Sequence, residues 1–171
     1  MAAEALKLAL RAEFGDMCGL SRKKEKLMAD YYIEWLRNRG FDISSLESRG
    51  FNGNTPLLQA ALEGDLSVVR RLVEAGSNLY AVNNDFNGVL FNACYADRPD
   101  IIRVLVEAGA DINDINEEGT TPLMYAASAG RIACVAVLLE LGSDASRRNE
   151  DGFQAVEYAA NREVLKLLRH A

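Results

Sequence analysis

An all-α solenoid of stacked helix-turn-helix units with protruding turns is the fold that the sequence predicts, on three observations. Small-residue pairs recur at 33-residue steps, as Ala60-Ala61, Ala93-Cys94, Ala126-Ala127 and Ala159-Ala160. Gly76, Gly109 and Gly142 keep the same step, and Pro56 and Pro122 lie two steps apart. The copies between them, TPLLQAALEGDLSVVRRLVEAG, GVLFNACYADRPDIIRVLVEAG and TPLMYAASAGRIACVAVLLELG, carry apolar residues at helical spacing on either side of a central turn. A period of that length belongs to layers that bury their faces against one another, not to a single closed core.

Register, helix pattern and turn residues repeat together over residues 50–171, and over that span the sequence resembles the ankyrin repeat family. The resemblance implies an ankyrin repeat solenoid with repeats at 50–82, 83–115 and 116–148. A shortened capping repeat would occupy 149–171, and a helical cap or degenerate repeat 1–49. It also implies a noncatalytic protein-protein interaction module, since the family works almost entirely by binding proteins. The family commonly carries TPLH, whose histidine hydrogen-bonds between neighbouring loops. The matching positions here are Leu58, Phe91, Met124 and Glu157, so apolar contacts should replace that network and the tips should be looser. Asn113 matches an asparagine that some animal members have hydroxylated, which matters only in an animal protein.

Residues 2–14 set Leu6, Leu10 and Phe14 along one helix face, and Gly15, Asp16 and Gly19 end it. A second helix over 22–39 brings Leu27, Tyr31, Tyr32, Trp35 and Leu36 onto one stripe, with Gly40 as its C-cap. An aromatic stripe at helical spacing reads as core rather than as a partner-binding patch. The run RKKEK at 22–26 reads as a solvated helix face. The end of this helix, YYIEWLRNRGFDI, aligns with SVVRRLVEAGSNL 36 residues later, and the three extra residues fall within 44–49.

In the second unit Thr55 supplies an N-cap oxygen, and Pro56 follows it without sacrificing a helical N–H. A helix then runs to about Leu62, Gly64-Asp65 turn the chain, and a second helix spans 67–75. Small residues let the first helices of successive units approach closely while the second helices hold bulkier Val, Ile and Leu. The array should therefore curve with its first helices on the concave side. The third unit is irregular, with Gly88-Val89 for Thr-Pro, Phe86 where its neighbours have Gly53 and Gly119, and Asp97-Arg98-Pro99 for a glycine turn. Loss of the cap should cost about 1 kcal/mol. These departures read either as drift or as a site overriding local preference, which would make Asn84, Asp85, Phe86, Asn87 and Tyr95 contact residues. The fifth unit has Gln154-Ala155 for Thr-Pro, and its Val164 matches Val135 at an offset of 29, four residues short of the period.

The net charge of −6 is unevenly spread: residues 1–49 carry 9 Lys and Arg against 8 Asp and Glu, and the remainder 10 against 17. An acidic array is a poor partner for phosphate backbones, so nucleic acid is not the expected ligand. The longest apolar run, 132–139, is too short for a bilayer, which takes about 20 residues. Residues 1–10 lack a basic start and an apolar block, so no secretory signal is expected. Three cysteines, Cys18, Cys94 and Cys134, make no paired framework, and Cys94 and Cys134 read as buried small hydrophobes. A cytoplasmic monomer without cofactor or metal is the expectation. The lone histidine, His170, is penultimate, so no nucleophile-base pair can be placed on rigid structure. The stretch DINDINEEG at 111–119 fails as a calcium loop, because Ile115 takes a ligand position and Asn116 the place of the required glycine.

In the family, partners lie across the turn tips and the exposed face of the first helices. Carried over by position, the resemblance implies Phe51, Asn52, Asn54, Leu62 and Glu63, then Asn84, Asp85, Asn87 and Tyr95. It continues with Glu117, Glu118, Thr120 and Ser128, and ends with Glu150, Asp151, Phe153 and Asn161. Acidic groups on successive tips, with Phe51, Tyr95 and Phe153 as anchors, suit another protein with a basic surface; exposed turns are also simply polar in most proteins. An inhibitor or immunity-type protein that occludes a specific enzyme or toxin is the alternative.

Overall fold

The computed structural model describes residues 22–171, with side chains from residue 30 onward. The expected helix over 2–14, Cys18 and the Leu27 side chain lie outside the described residues. Those described form helices α1 (Arg22–Asn38), α2 (Pro56–Glu63), α3 (Leu66–Glu74), α4 (Val89–Tyr95), α5 (Pro99–Glu107), α6 (Pro122–Ser128), α7 (Ile132–Glu140) and α8 (Arg162–Arg169). Short 3-10 turns cover Phe51–Gly53 and Ala155–Tyr158, and no strand occurs among the described residues. The fold is an all-α solenoid of paired helices with protruding turns.

Local chemistry sets the helix starts. Thr55 and Thr121 accept the N–H of Leu58 and Met124 at 3.3 and 3.2 Å, and Pro56 and Pro122 follow as first residues. Asp65 takes the N–H groups of Ser67 and Val68, so α3 starts at Leu66, one residue before the expected position. At α4 the N-cap is Gly88, which offers no side-chain bond. Glycine there costs only a few tenths of a kcal/mol, less than the expected penalty.

None of α2–α8 reaches the ~12–15 residues at which an isolated helix becomes marginal in water, so stacking must hold them. The first helices stack α2 on α4 on α6, and α6 meets the 3-10 turn; the second helices stack α3 on α5 on α7 on α8. Ala60, Ala61, Ala93, Cys94, Ala126 and Ala127 form a fully buried small-residue seam between the first helices. Leu72, Ile101, Leu105 and Leu138 fill the second row, each worth about 1.5–3 kcal/mol when fully buried. Leu58, Phe91 and Met124, at three of the positions where the family carries histidine, are buried, in keeping with the apolar contacts expected there.

The second helices α3, α5 and α7 end alike. Ser77, Ala110 and Ser143 donate backbone N–H to Leu72, Leu105 and Leu138, and Phe41 donates likewise to Leu36, 36 residues before the first of these pairs. Tyr32, Trp35 and Leu36 are buried, with Trp35 stacked on Phe41 at 6.1 Å and Arg39 lying 4.2 Å over the Trp35 ring. Burial pushes the Tyr32 hydroxyl up to about 12. Tyr31 corrects the expected stripe: it is 47% exposed and donates its hydroxyl to Asp65 at 2.8 Å. The fifth unit differs too. Its first helix is reduced to the 3-10 turn, and the Ala159-Ala160 pair follows that turn, with the Ala160 N–H given to Ala127.

Candidate functional site at the turn tips

Each tip from the third unit onward is closed by one asparagine. Asn83, Asn116 and Asn149 pair their own N–H with the carbonyl four residues on, at Asn87, Thr120 and Phe153. Their side-chain oxygens take the N–H groups of the same three residues at 3.0, 3.0 and 2.9 Å, and Asp85 and Glu118 add a second N–H at the first two. A short amide can satisfy the local backbone in this way where a longer side chain cannot. The expectation of looser tips is therefore corrected for the bonding within each tip. The signal was present as asparagine at 83, 116 and 149, one period apart. Backbone bonds also cross between tips, from Asn84 N–H to Asn52 at 3.0 Å and from Glu150 N–H to Glu118 at 3.2 Å.

Charge is sorted by sign around these turns. Arg49 donates to the carbonyls of Gly53 and Val82 at 2.8 and 2.6 Å, Arg148 to Gly152 at 2.6 Å, and Arg147 to Asn113. The carboxylates of Asp85, Glu117, Glu118, Glu150 and Asp151 are exposed, and of these only Asp85 is bonded, by the Asn52 amide at 2.6 Å. Backbone carbonyls thus engage the guanidinium groups, which stay exposed, with Arg148 also 3.9 Å from Glu157, while the acids of the last two tips have no such partner among the described residues.

Of the other residues assigned to the surface, Phe51 is 88% exposed, Tyr95 60% exposed, and Asn84 and Ser128 are exposed. Leu62, Asn87 and Thr120 are half-buried. Phe153 is exposed on one side and packs edge-on against Tyr158 at 6.0 Å. Glu63 is held by Arg39 and Gln59. Asn161 caps α8 through the Val164 N–H and donates to Gly130, so it serves the stack. Asn54 overturns its assignment: it is 1% exposed, with its amide on Gln59 at 3.0 Å, because the chain turns inward there to start α2. Tyr80, 69% exposed with its hydroxyl on the Gly109 carbonyl, was missed. Its periodic counterparts are Asn113 and Ser146, so no apolar repeat marked the position.

The opposite turns, between the paired helices, are stitched across units. Arg98 reaches the Gly64 carbonyl, Arg131 that of Tyr95 at 3.3 Å, and Asn161 that of Gly130 at 3.3 Å. Cys94 and Cys134 are free and buried. Its contact with the Cys134 thiol, reinforced by burial, pushes the Cys94 thiol well above its usual range. Such a group is a poor nucleophile. His170 is exposed beyond α8. Among the described residues no cluster of His, Cys, Asp and Glu could hold a metal, and no helix is long and apolar enough to cross a membrane.

The family model for ankyrin repeats (three copies) matches residues 27–116 and 90–171. Among solved structures, the ankyrin repeat domain of Bcl-3, described as a unique member of the IkappaB protein family, superposes with a TM-score of 0.68 at 27% identity. The match covers 73% of this chain and 55% of that one, so this chain spans little more than half of its neighbour. No curated protein matches the sequence.

Proposed function

This chain belongs to the ankyrin repeat family, whose repeats are in general noncatalytic protein-binding modules, and from that premise we propose that it binds one partner protein across its turn tips and the exposed face of its first helices, through a basic surface on the partner. The observation that carries this reading is the sorting of charge. Exposed carboxylates recur on three successive tips without cationic partners among the described residues, while the arginines at their bases, exposed as well, are fixed on backbone carbonyls. An acidic edge of this kind speeds encounter with a basic partner and disfavours acidic ones, and exposed Phe51 and Tyr95 add apolar contact. Such steering weakens with salt, because the Debye length falls to about 8 Å at physiological ionic strength.

Affinity capture from the source cell with mass spectrometry identifies the partner, and a titration of the purified pair tests the surface. The double variant Asp85→Lys with Glu118→Lys is expected to weaken binding and flatten its salt dependence; unchanged affinity would sink the acidic-tip reading. If the partner is an enzyme, the same titration shows whether its activity falls on binding, as an inhibitor or immunity-type role requires.

A further inference from the structure

Adjacent tips are joined by one backbone bond at two junctions, Asn84 N–H to Asn52 and Glu150 N–H to Glu118. The 33-residue period sets Glu117 N–H and the Asp85 carbonyl in the same relation between the third and fourth tips, and there the bond is not formed. Phe86 is the residue that differs at this junction. In the flanking tips its place is taken by Gly53 and Gly119, both at positive φ. A Cβ on those glycines would come within 2.3 Å of the Asn84 side-chain oxygen and 3.1 Å of the Glu150 nitrogen of the following tip. Phe86 holds the same left-handed backbone, at φ 58°, and carries both a Cβ and a ring. A side chain at this position therefore crowds the backbone of the following tip, and at the third tip the rung is left unmade. A bulky residue at that backbone is unfavourable, yet the bonds from Asn83 and the Asn52–Asp85 contact hold it there. Strain that the surroundings over-determine in this way is characteristic of binding sites.

What results is a seam with a backbone donor at Glu117, a backbone acceptor at Asp85, the half-exposed Phe86 ring on the third tip and the exposed carboxylates of Glu117 and Glu118 on the fourth, while the Asp85 carboxylate is held by Asn52 of the second tip. We propose that this seam is the docking notch for an extended segment of the partner, one apolar side chain flanked by Lys or Arg. The segment gives a carbonyl to Glu117 N–H and an N–H to the Asp85 carbonyl, completing the broken rung as an added strand completes a sheet edge. Its apolar side chain packs on Phe86, and its cations meet the carboxylates of Glu117 and Glu118. This rests on the tips being the binding surface, and adds the junction and the shape of what binds.

The test uses the full chain, a phage-displayed library of short random peptides, and amide hydrogen exchange by NMR. Selected peptides are expected to carry Lys or Arg around one apolar residue and to slow exchange at the Glu117 amide when bound. Phe86→Gly restores the residue of the flanking tips. It is expected to protect the Glu117 amide without peptide, to leave the unfolding midpoint no lower, and to weaken peptide binding by about tenfold or more, as loss of an aromatic anchor does. Phe86→Ala keeps the Cβ and so should weaken binding while the Glu117 amide still exchanges freely. Peptides that bind Phe86→Gly as tightly as the parent chain, peptides that leave the Glu117 amide unprotected, or a library with no binder would each overturn the notch. If binding then falls with Asp85→Lys and Glu118→Lys but not with Phe86→Gly, the seam fails and the wider tip surface stands; if neither acts, both fail.

Discussion

The third and fourth units bury nearly the same set of side chains and yet begin and end their helices by different means. In the fourth, Thr121 caps α6, Pro122 follows it, and Gly119 and Gly130 supply the left-handed turns. In the third, the cap is a bare Gly88, and the left-handed positions are held by Phe86 and Asp97. Even so, α4 and α5 match α6 and α7 in length and pack into the same two rows. Helix position is therefore set by burial between layers, and turn residues adjust the energy by amounts too small to move the helices. The difference also has local causes: a Cβ at Gly88 would meet the Asp114 carboxylate at 2.6 Å, so a serine or threonine cap there must first displace that side chain. Asp97, forced left-handed, accepts the Cys134 thiol and lies 3.6 Å from Arg131, contacts that glycine could not make.

The largest test of this comparison cuts the shared core. Leu105→Ala and Leu138→Ala remove corresponding, fully buried side chains and should each cost about 2–5 kcal/mol in urea unfolding. A much smaller loss in the third unit would show that its body, not only its tip, is loosened. Next comes the tip itself: Gly119→Phe in the fourth unit should destabilise by about 1–2 kcal/mol, and Phe86→Gly in the third should stabilise by about 1 kcal/mol. Equal and opposite midpoints are not required, but the two signs are. The caps follow. Thr121→Ala is expected to cost about 1 kcal/mol, whereas Gly88→Ser should bring no gain, because the new Cβ displaces Asp114.

The smallest effect separates the two units by pH. In the third, the Arg98 guanidinium holds the Asp100 carboxyl below its usual value of 3.8, with the Ile101 N–H assisting against partial burial. A depressed carboxyl contributes stability that is full above 3.8 and is lost as the pH falls below it through the lowered folded value. The first turn of α7 in the fourth unit holds no acid. The gap in unfolding midpoint between the parent chain and Asp100→Asn should therefore narrow on acidification below 3.8. A gap that is constant with pH would remove Asp100 from the account.

Helix pairs, their starts at Thr55 and Thr121, the Gly40 stop and the burial of Leu58, Phe91 and Met124 were legible in the residues, because periodicity and capping act over a single turn of chain. Two local readings failed where a neighbour intervened: Tyr31 left its stripe for Asp65, and Asn54, polar and beside a tip, turned inward to Gln59. The closing asparagines at 83, 116 and 149 were visible as a period but not as a bonding pattern, since an asparagine in a turn can bond its own backbone or face solvent. Burial also depends on what stacks alongside, and hydrogen bonds between tips join residues about one period apart, so these needed the assembled layers. Phe86 joins the two levels. The sequence shows only that a glycine is missing there, whereas the rung left unmade between Asp85 and Glu117, at a position where the flanking glycines leave little space for a Cβ, appears only in the assembled layers.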